Sequence, residues 1–278
     1  MTDASAAGDV WSRTTDIDES ALTVMVERLE GRAKHPFFRG VIADYFGDLE
    51  LERLSSVLEI GCGTGVVSRA LAVAPGFRGT IKATDVSPYL IDAARRHAKA
   101  EGVEDRIVFE ASSAADLPAD NSTYDLIIAH TLFSHAADPV AILAECGRVL
   151  RAGGRLLIFD RDPASSAFSL DENIAARIDV GAIAHVFAAQ PYIIRQLPGL
   201  LVDAGFAIES HRSYVIADVG RADFFSESLP MWRRLLPISG VIGQKDADLL
   251  MDGLEAASAA GTLFWSNNFY TFVARKTC

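Results

Sequence analysis

The sequence predicts a doubly wound α/β domain, a mostly parallel sheet covered by helices on both faces. Three observations predict it. Short β-branched or apolar runs alternate with helical patterns through the first 160 residues. A glycine-rich turn, Gly61-Cys62-Gly63-Thr64-Gly65, joins the first of those runs to a helix. Half of the 278 residues are apolar, enough for a substantial core in one or two domains of this length.

The elements follow in order. Helical patterns over 21–30 and 37–51 precede the first strand, with Asp18-Glu19-Ser20 as an acidic cap region. Strands are expected at 56–60, 81–86, 107–110, 124–129 and 155–159, with a helix starting near Val66 after the first. Asp138-Pro139 supplies a cap and first turn for a helix carrying Val140, Leu143, Cys146 and Leu150, which Gly153-Gly154 are expected to stop. Beyond residue 160 the pattern changes to helices over 174–187, 191–204, 222–236 and 247–260, with strands over 208–216 and 269–274 completing the sheet. The division expected is a helical extension over 1–52, placed as a lid, and a domain over 53–278 with helical insertions around 163–204 and 218–262.

Composition excludes several classes. The balance of 26 Lys+Arg against 37 Asp+Glu, a formal charge of −11, repels a phosphate backbone and disfavours nucleic acid as partner. The most apolar stretch, 57–75, is broken by Glu59, Arg69 and three glycines, so no transmembrane span is expected. The first twenty residues are polar and acidic rather than signal-like, which points to the cytoplasm; no membrane partner is expected, and the chain is expected to be a monomer or homodimer. Cys62, Cys146 and Cys278 are too few and too dispersed for a disulfide framework or a zinc ribbon.

The glycines at 61, 63 and 65 allow close backbone approach and a sharp turn before a helix N-terminus, which indicates a nucleotide-like ligand. The dinucleotide fingerprint G-x-G-x-x-G would place its third glycine where Val66 stands, and no phosphate-cradling G-x-x-x-x-G-K-[ST] is present. A nicotinamide oxidoreductase is thereby disfavoured but kept as an alternative of another class.

The run Val57 to Gly65, VLEIGCGTG, resembles motif I of class I S-adenosylmethionine-dependent methyltransferases. ATDVSP at 83–88, DLP at 116–118, YDLIIAH at 124–130 and RVLRAGGR at 148–155 follow in the family's order. With ERLEGRAKHPFF upstream and NNFYTFVARK near the end, the chain looks like the ubiquinone/menaquinone C-methyltransferase type and its small-molecule relatives over most of residues 21–275. The resemblance implies a Rossmann-like seven-stranded sheet with an antiparallel last strand, and S-adenosyl-L-methionine as cofactor with S-adenosyl-L-homocysteine as product. It places Gly61, Gly63 and Gly65 beside the methionine portion and ribose, Glu59 near the amino acid moiety, and Asp85 on the ribose hydroxyls. Asp85 fits independently, because a carboxylate about twenty residues past a Gly-rich turn can accept two O–H bonds from a vicinal diol. Ser113 stands where the family usually carries an adenine-contacting Asp, so adenine contacts are expected from backbone near Ala114, with Val86 flanking the base, Cys62 in the loop and His130 beside the cofactor.

Methyl transfer is an in-line displacement at a sulfonium methyl, so alignment and exclusion of water carry most of it. His135 is the first candidate for a general base, with Asp160 and Asp162 as alternatives. Each has a plain structural reading: a loop His capping backbone, or acids in a turn with Arg161. The spacing of His130, His135, Asp160 and Asp162 matches no known ligand pattern, and no metal is expected. Phe187, Tyr192, Trp232, Phe264, Trp265 and Asn268 are candidates for an acceptor pocket suited to a small, aromatic or partly apolar metabolite. Two further readings remain open: a cofactor-binding enzyme of this fold catalysing a cyclisation, and a binding module without catalysis.

Overall fold

The computed structural model describes residues 9, 11, 14, 15, 18–170, 172 and 178–277. Seven strands, β1 (Ser56–Ile60), β2 (Thr80–Asp85), β3 (Ile107–Ala111), β4 (Tyr124–His130), β5 (Leu150–Phe168), β6 (Phe206–Gly220) and β7 (Leu263–Lys276), form one sheet in the order β3-β2-β1-β4-β5-β7-β6. β1 to β5 are parallel, and β7 runs antiparallel to both of its neighbours. The architecture is the Rossmann-like α/β class expected.

Period-two alternation divides the core between the two faces. Val57 on β1 packs with α2 (Pro36–Gly47), α3 (Val66–Ala72) and α4 (Pro88–Glu101), through Phe38, Leu71 and Ile91 among others. Leu58 and Ile60 pack on the other face with α5 (Pro139–Val149) and α7 (Ile193–Asp203), through Leu143, Cys146 and Leu197. Strands buried on both faces read as continuous apolar runs, which is why β1 and β4 were legible. The strand order reverses between β1 and β4, and in a sheet of this kind the crevice beyond the carboxyl ends at that switch is where ligands bind. α1 (Glu19–Lys34), capped by the Asp18 carboxylate accepting from the Ala21 N–H at 2.9 Å, lies across that crevice.

Several boundaries differ from expectation. The helix expected to stop at Gly153-Gly154 ends at Val149; Leu150 pairs with Tyr124 instead, and Gly153 takes φ 72° within the following bend. β5 does not end at 159 but runs to Phe168, paired with β7 as far as Phe168 opposite Trp265 after an irregularity between Asp162 and Ala167. The insertion placed at 163–204 therefore begins as strand, and the tall β5-β7-β6 ribbon makes a wall above the crevice. The helix expected over 222–236 begins only at Ser228 as α8 (Ser228–Ile238), because the buried Asp218 carboxylate accepts N–H bonds from Asp223, Phe224 and Phe225 and holds that stretch in a tight turn. Helix 37–51 ends at Gly47. α6 (Val180–Phe187) starts behind an Asp179 cap; residues 174–177 of the expected helix, and Cys278, lie outside the described residues. α9 (Gln244–Ala260) packs on α8. Among the described residues no helix is long and apolar enough to cross a membrane.

Candidate active site

A cavity of about 610 Å³ occupies the crevice. At one end lies the glycine turn. Gly61 and Gly63 adopt φ 64° and 54°, a left-handed backbone that glycine accepts without steric cost. The Cys62 N–H donates to the Thr84 carbonyl at 2.9 Å, tying the turn to β2. Asp85, at the end of β2, accepts the Gly63 N–H on one oxygen at 2.8 Å and the Ser87 N–H on the other at 2.9 Å. Each oxygen keeps acceptor capacity, so the carboxylate both shapes the loop and can still receive two hydroxyl donors. Burial pushes its pKa up, against the backbone N–H bonds that lower it. Gly65 does not line the cavity: a Cβ there would stand 2.7 Å from the Phe109 ring, so this glycine serves close packing of α3 against β3.

Glu59, 2% exposed, reaches the cavity from β1 and accepts the Ser68 N–H at 2.8 Å as well as the Ser68 hydroxyl. Burial raises its pKa to about 7, with the Ser68 bonds opposing. A carboxyl held above its unfolded value of 4.5 makes the folded state bind the extra proton, so its stabilising contribution is full below that value and is lost as pH rises towards 7. Glu59→Gln is expected to melt at or above wild type at pH 8 and to lose that relative advantage by pH 4.5, a change of about 3 kcal/mol in the difference. Parallel melting curves at both pH values would show that Glu59 is not ionised at a cost.

Cys62 and Val86 line the same end, and burial drives the Cys62 thiol well above its usual range, so it stays protonated. Ser113 and Ala114 form the outer edge, where the Ser113 hydroxyl is taken by the Ala115 N–H at 3.2 Å in a local turn. His130 contributes its ring as well as its backbone: Nδ1 lies 3.2 Å from the Tyr45 hydroxyl, and the ring centroid lies 4.6 Å from that of Phe159. Burial holds this imidazole well below its ordinary pKa and hence neutral.

The catalytic candidates separate. His135 lines the cavity, bonded through Nδ1 to Asp9, with its ring 6.1 Å from that of Trp11. With Nδ1 engaged by the carboxylate, Nε2 is the basic position. Asp160 and Asp162 do not reach the cavity. Of β5 only Arg161 lines the cavity, and alternation along the strand turns its neighbours Asp160 and Asp162 to the other face. There Asp160 accepts the Ser134 N–H at 2.9 Å and Asp162 pairs with Arg195 of α7 at 3.1 Å. His130, His135 and the two acids are thus not gathered, and among the described residues no three His, Cys, Asp or Glu side chains group as metal ligands.

The far end is aromatic. Phe187 stacks on Trp232 at 4.6 Å, Phe225 on Trp265 at 4.5 Å, and the two indoles meet edge to face at 4.8 Å. Phe187, Trp232 and Trp265 were expected here. Phe225 was missed, because the Asp218-centred turn that presents it has no periodic signal. Tyr192, Phe264 and Asn268 lie outside the wall: Tyr192 at the start of α7 under Arg195, Phe264 43% exposed, and Asn268 on the β7 face opposite the cavity. Asn267 lines it instead. Arg28, Arg32 and Thr131 also line it, with Arg32 Nη2 donating to Thr131 Oγ1 at 2.9 Å. The i, i+4 spacing of Arg28 and Arg32 places them on one helix face, but nothing local says which way that face looks.

The family described as Methyltransferase domain matches residues 57–154, the span that holds the glycine turn, Asp85, Ser113 and His135. Methyltransferase GfsG of Streptomyces halstedii is 37% identical over 112 residues, covering 40% of each chain. The ubiquinone biosynthesis O-methyltransferase of Xanthomonas axonopodis pv. citri is 30% identical over 115 residues, covering 41% of this chain and 46% of that protein. The matches therefore span less than half the length of these two relatives. A crystallised Bacillus halodurans protein assigned as a methyltransferase superposes with a TM-score of 0.60 at 17% identity, covering 85% of this chain and 99% of that one, a likeness of fold. The acids and glycines of the crevice fit the cofactor of that family: Glu59 for a cationic amino group, Asp85 for a ribose diol, Gly61 and Gly63 for close backbone approach. Residues 57–154 thus match the methyltransferase domain family, within a seven-stranded sheet that extends beyond the matched span.

Proposed function

We propose that the whole chain transfers the methyl group of S-adenosyl-L-methionine to a small acceptor with an aromatic or partly apolar body. The observation that carries this is the continuity of one cavity from the glycine turn and Asp85 to the Phe187–Trp232 and Phe225–Trp265 stacks. The cofactor supplies an electrophilic methyl carbon. Gly61, Gly63, Glu59 and Asp85 hold it, and the aromatic wall orients the acceptor by stacking. α1 lies over the crevice as a lid and keeps water out, which matters because methyl transfer rests on alignment. His135, oriented by Asp9, takes a proton from the acceptor at Nε2.

The test is transfer of label from methyl-labelled S-adenosylmethionine to a panel of phenolic, amine and activated-carbon acceptors, run on wild type and His135→Ala. Label is expected in an aromatic acceptor, with turnover in His135→Ala lowered about a hundredfold and S-adenosylhomocysteine affinity unchanged. A His135→Ala variant with the wild-type turnover from pH 6 to 9 would leave catalysis to alignment alone. Cofactor binding without transfer to any member of the panel would favour the cyclisation reading.

A further inference from the structure

Three guanidinium groups converge on the cavity where the acceptor end begins. Arg28 and Arg32 come one turn apart from α1, and Arg161 comes from β5 across the crevice. Their local partners are weak or neutral. Arg28 Nη1 donates to the Met231 thioether sulfur at 2.7 Å. Arg32 donates to the Thr131 hydroxyl and lies 4.8 Å over the Phe38 ring, and Arg161 donates to the Phe187 carbonyl. Among the described residues no carboxylate stands at ion-pair distance from any of the three, although the same chain pairs Arg69, Arg151, Arg195, Arg212 and Arg233 with acids. The nearest acids are otherwise engaged: Asp9 on His135, Asp160 behind β5 on the Ser134 N–H, and Glu227 exposed at the rim.

Such an arrangement is costly when empty. Burial pushes Arg32 down to about 10 and lowers Arg28 and Arg161 as well; repulsion from the neighbouring guanidinium groups adds to this at Arg32 and Arg28, while Asp160 at Arg32, Glu227 at Arg28, and Asp9 and Asp160 at Arg161 oppose it. A sulfonium at the glycine end adds a further positive charge to the same cavity. Guanidinium groups that form no ion pair among the described residues and stand in a low-dielectric pocket are ready-made donors for a planar or tetrahedral oxyanion, because each offers a fork of N–H groups.

We propose that Arg28, Arg32 and Arg161 form an oxyanion-binding subsite, so that the acceptor carries a phosphoryl or carboxylate group on its aromatic or apolar body. This rests on the methyltransferase reading and narrows it. The anion bridges the lid to the sheet, since two of its ligands stand on α1 and the third on β5. Acceptor binding and closure of α1 are then one event, and the anion also neutralises the cavity that must receive a sulfonium.

The test is calorimetric titration of the full chain, with and without saturating S-adenosylhomocysteine, using pyrophosphate, inorganic phosphate and benzoate as probes. At least one probe is expected to bind at millimolar concentration or tighter, and Arg28→Gln and Arg32→Gln are each expected to weaken it at least about tenfold while the affinity for S-adenosylhomocysteine holds. The stronger probe tells a phosphoryl head from a carboxylate. Failure of all three probes on the wild type, or binding that survives Arg28→Gln/Arg32→Gln together, would overturn the subsite. If that double variant does not fold, the single Arg28→Gln, whose guanidinium donates among the described residues only to a thioether, decides in the same way. Homocysteine-compound binding is read separately, so its absence would count against the cofactor reading while the anion titrations still decide the subsite.

Discussion

Replacing Gly63 by Val is expected to lower the affinity for S-adenosylhomocysteine at least about a hundredfold, or about 3 kcal/mol, with the fold retained. Three effects combine at that position. Its φ of 54° is a conformation that a β-branched residue rarely adopts. A Cβ would stand 3.0 Å from the Leu29 Cδ1 on α1, so the new side chain presses on the helix that covers the crevice. The Gly63 N–H is also one of the two bonds that hold the Asp85 carboxylate, so a shifted loop misplaces the acid as well. Calorimetry on a variant with the wild-type circular dichroism decides the matter; native affinity there would remove the glycine turn from the cofactor site.

The second large effect is expected at Asp85. Asp85→Ala removes an acceptor for two ribose hydroxyls and should cost about 1.5 to 3 kcal/mol of cofactor affinity, roughly 10- to 150-fold. It also strips the Gly63 and Ser87 N–H groups of their partner, so part of the loss is disorder in the loop. Asp85→Asn separates the two parts. An amide oxygen can still accept one of the backbone bonds, whereas its NH2 cannot accept from a hydroxyl, so Asn is expected to keep the wild-type melting temperature better than Ala and yet bind the cofactor weakly. The readout is the stabilisation produced by S-adenosylhomocysteine, about 2.7 kcal/mol at a hundred times its dissociation constant in the wild type. Equal stabilisation of wild type and Asp85→Ala would take the acid out of the site.

The two ends of the cavity were unequally legible. The glycine end is built from short runs at the tips of β1, β2 and β4, and in a parallel sheet those tips meet at the switch point whatever packs around them. A strand, a glycine turn and a helix start are local features, so Glu59, Gly61, Gly63 and Asp85 stand where their spacing placed them. Gly65 shows the limit: its positive φ was foreseeable, but its service to Phe109 depends on a residue over forty positions away.

The aromatic end depends on the phase of an alternation. Along β5 and β7 a shift of one residue changes the face, and polar residues occur on both, so Asp160, Asp162 and Asn268 were plausible while Arg161 and Asn267 are the ones that enter. The phase is set by distant partners: Arg195 of α7 draws Asp162 to its side, and Phe269 stacked on Phe159 fixes the other. The sequence by itself determined the order of the elements, the parallel sheet and the nucleotide-like turn, because those rest on hydrophobic period and backbone freedom. Only the tertiary structure decided that α1 turns its two arginines inward, that Asp9 reaches His135, and that three guanidinium groups meet over an aromatic wall, because each of these joins segments whose pairing no local pattern encodes.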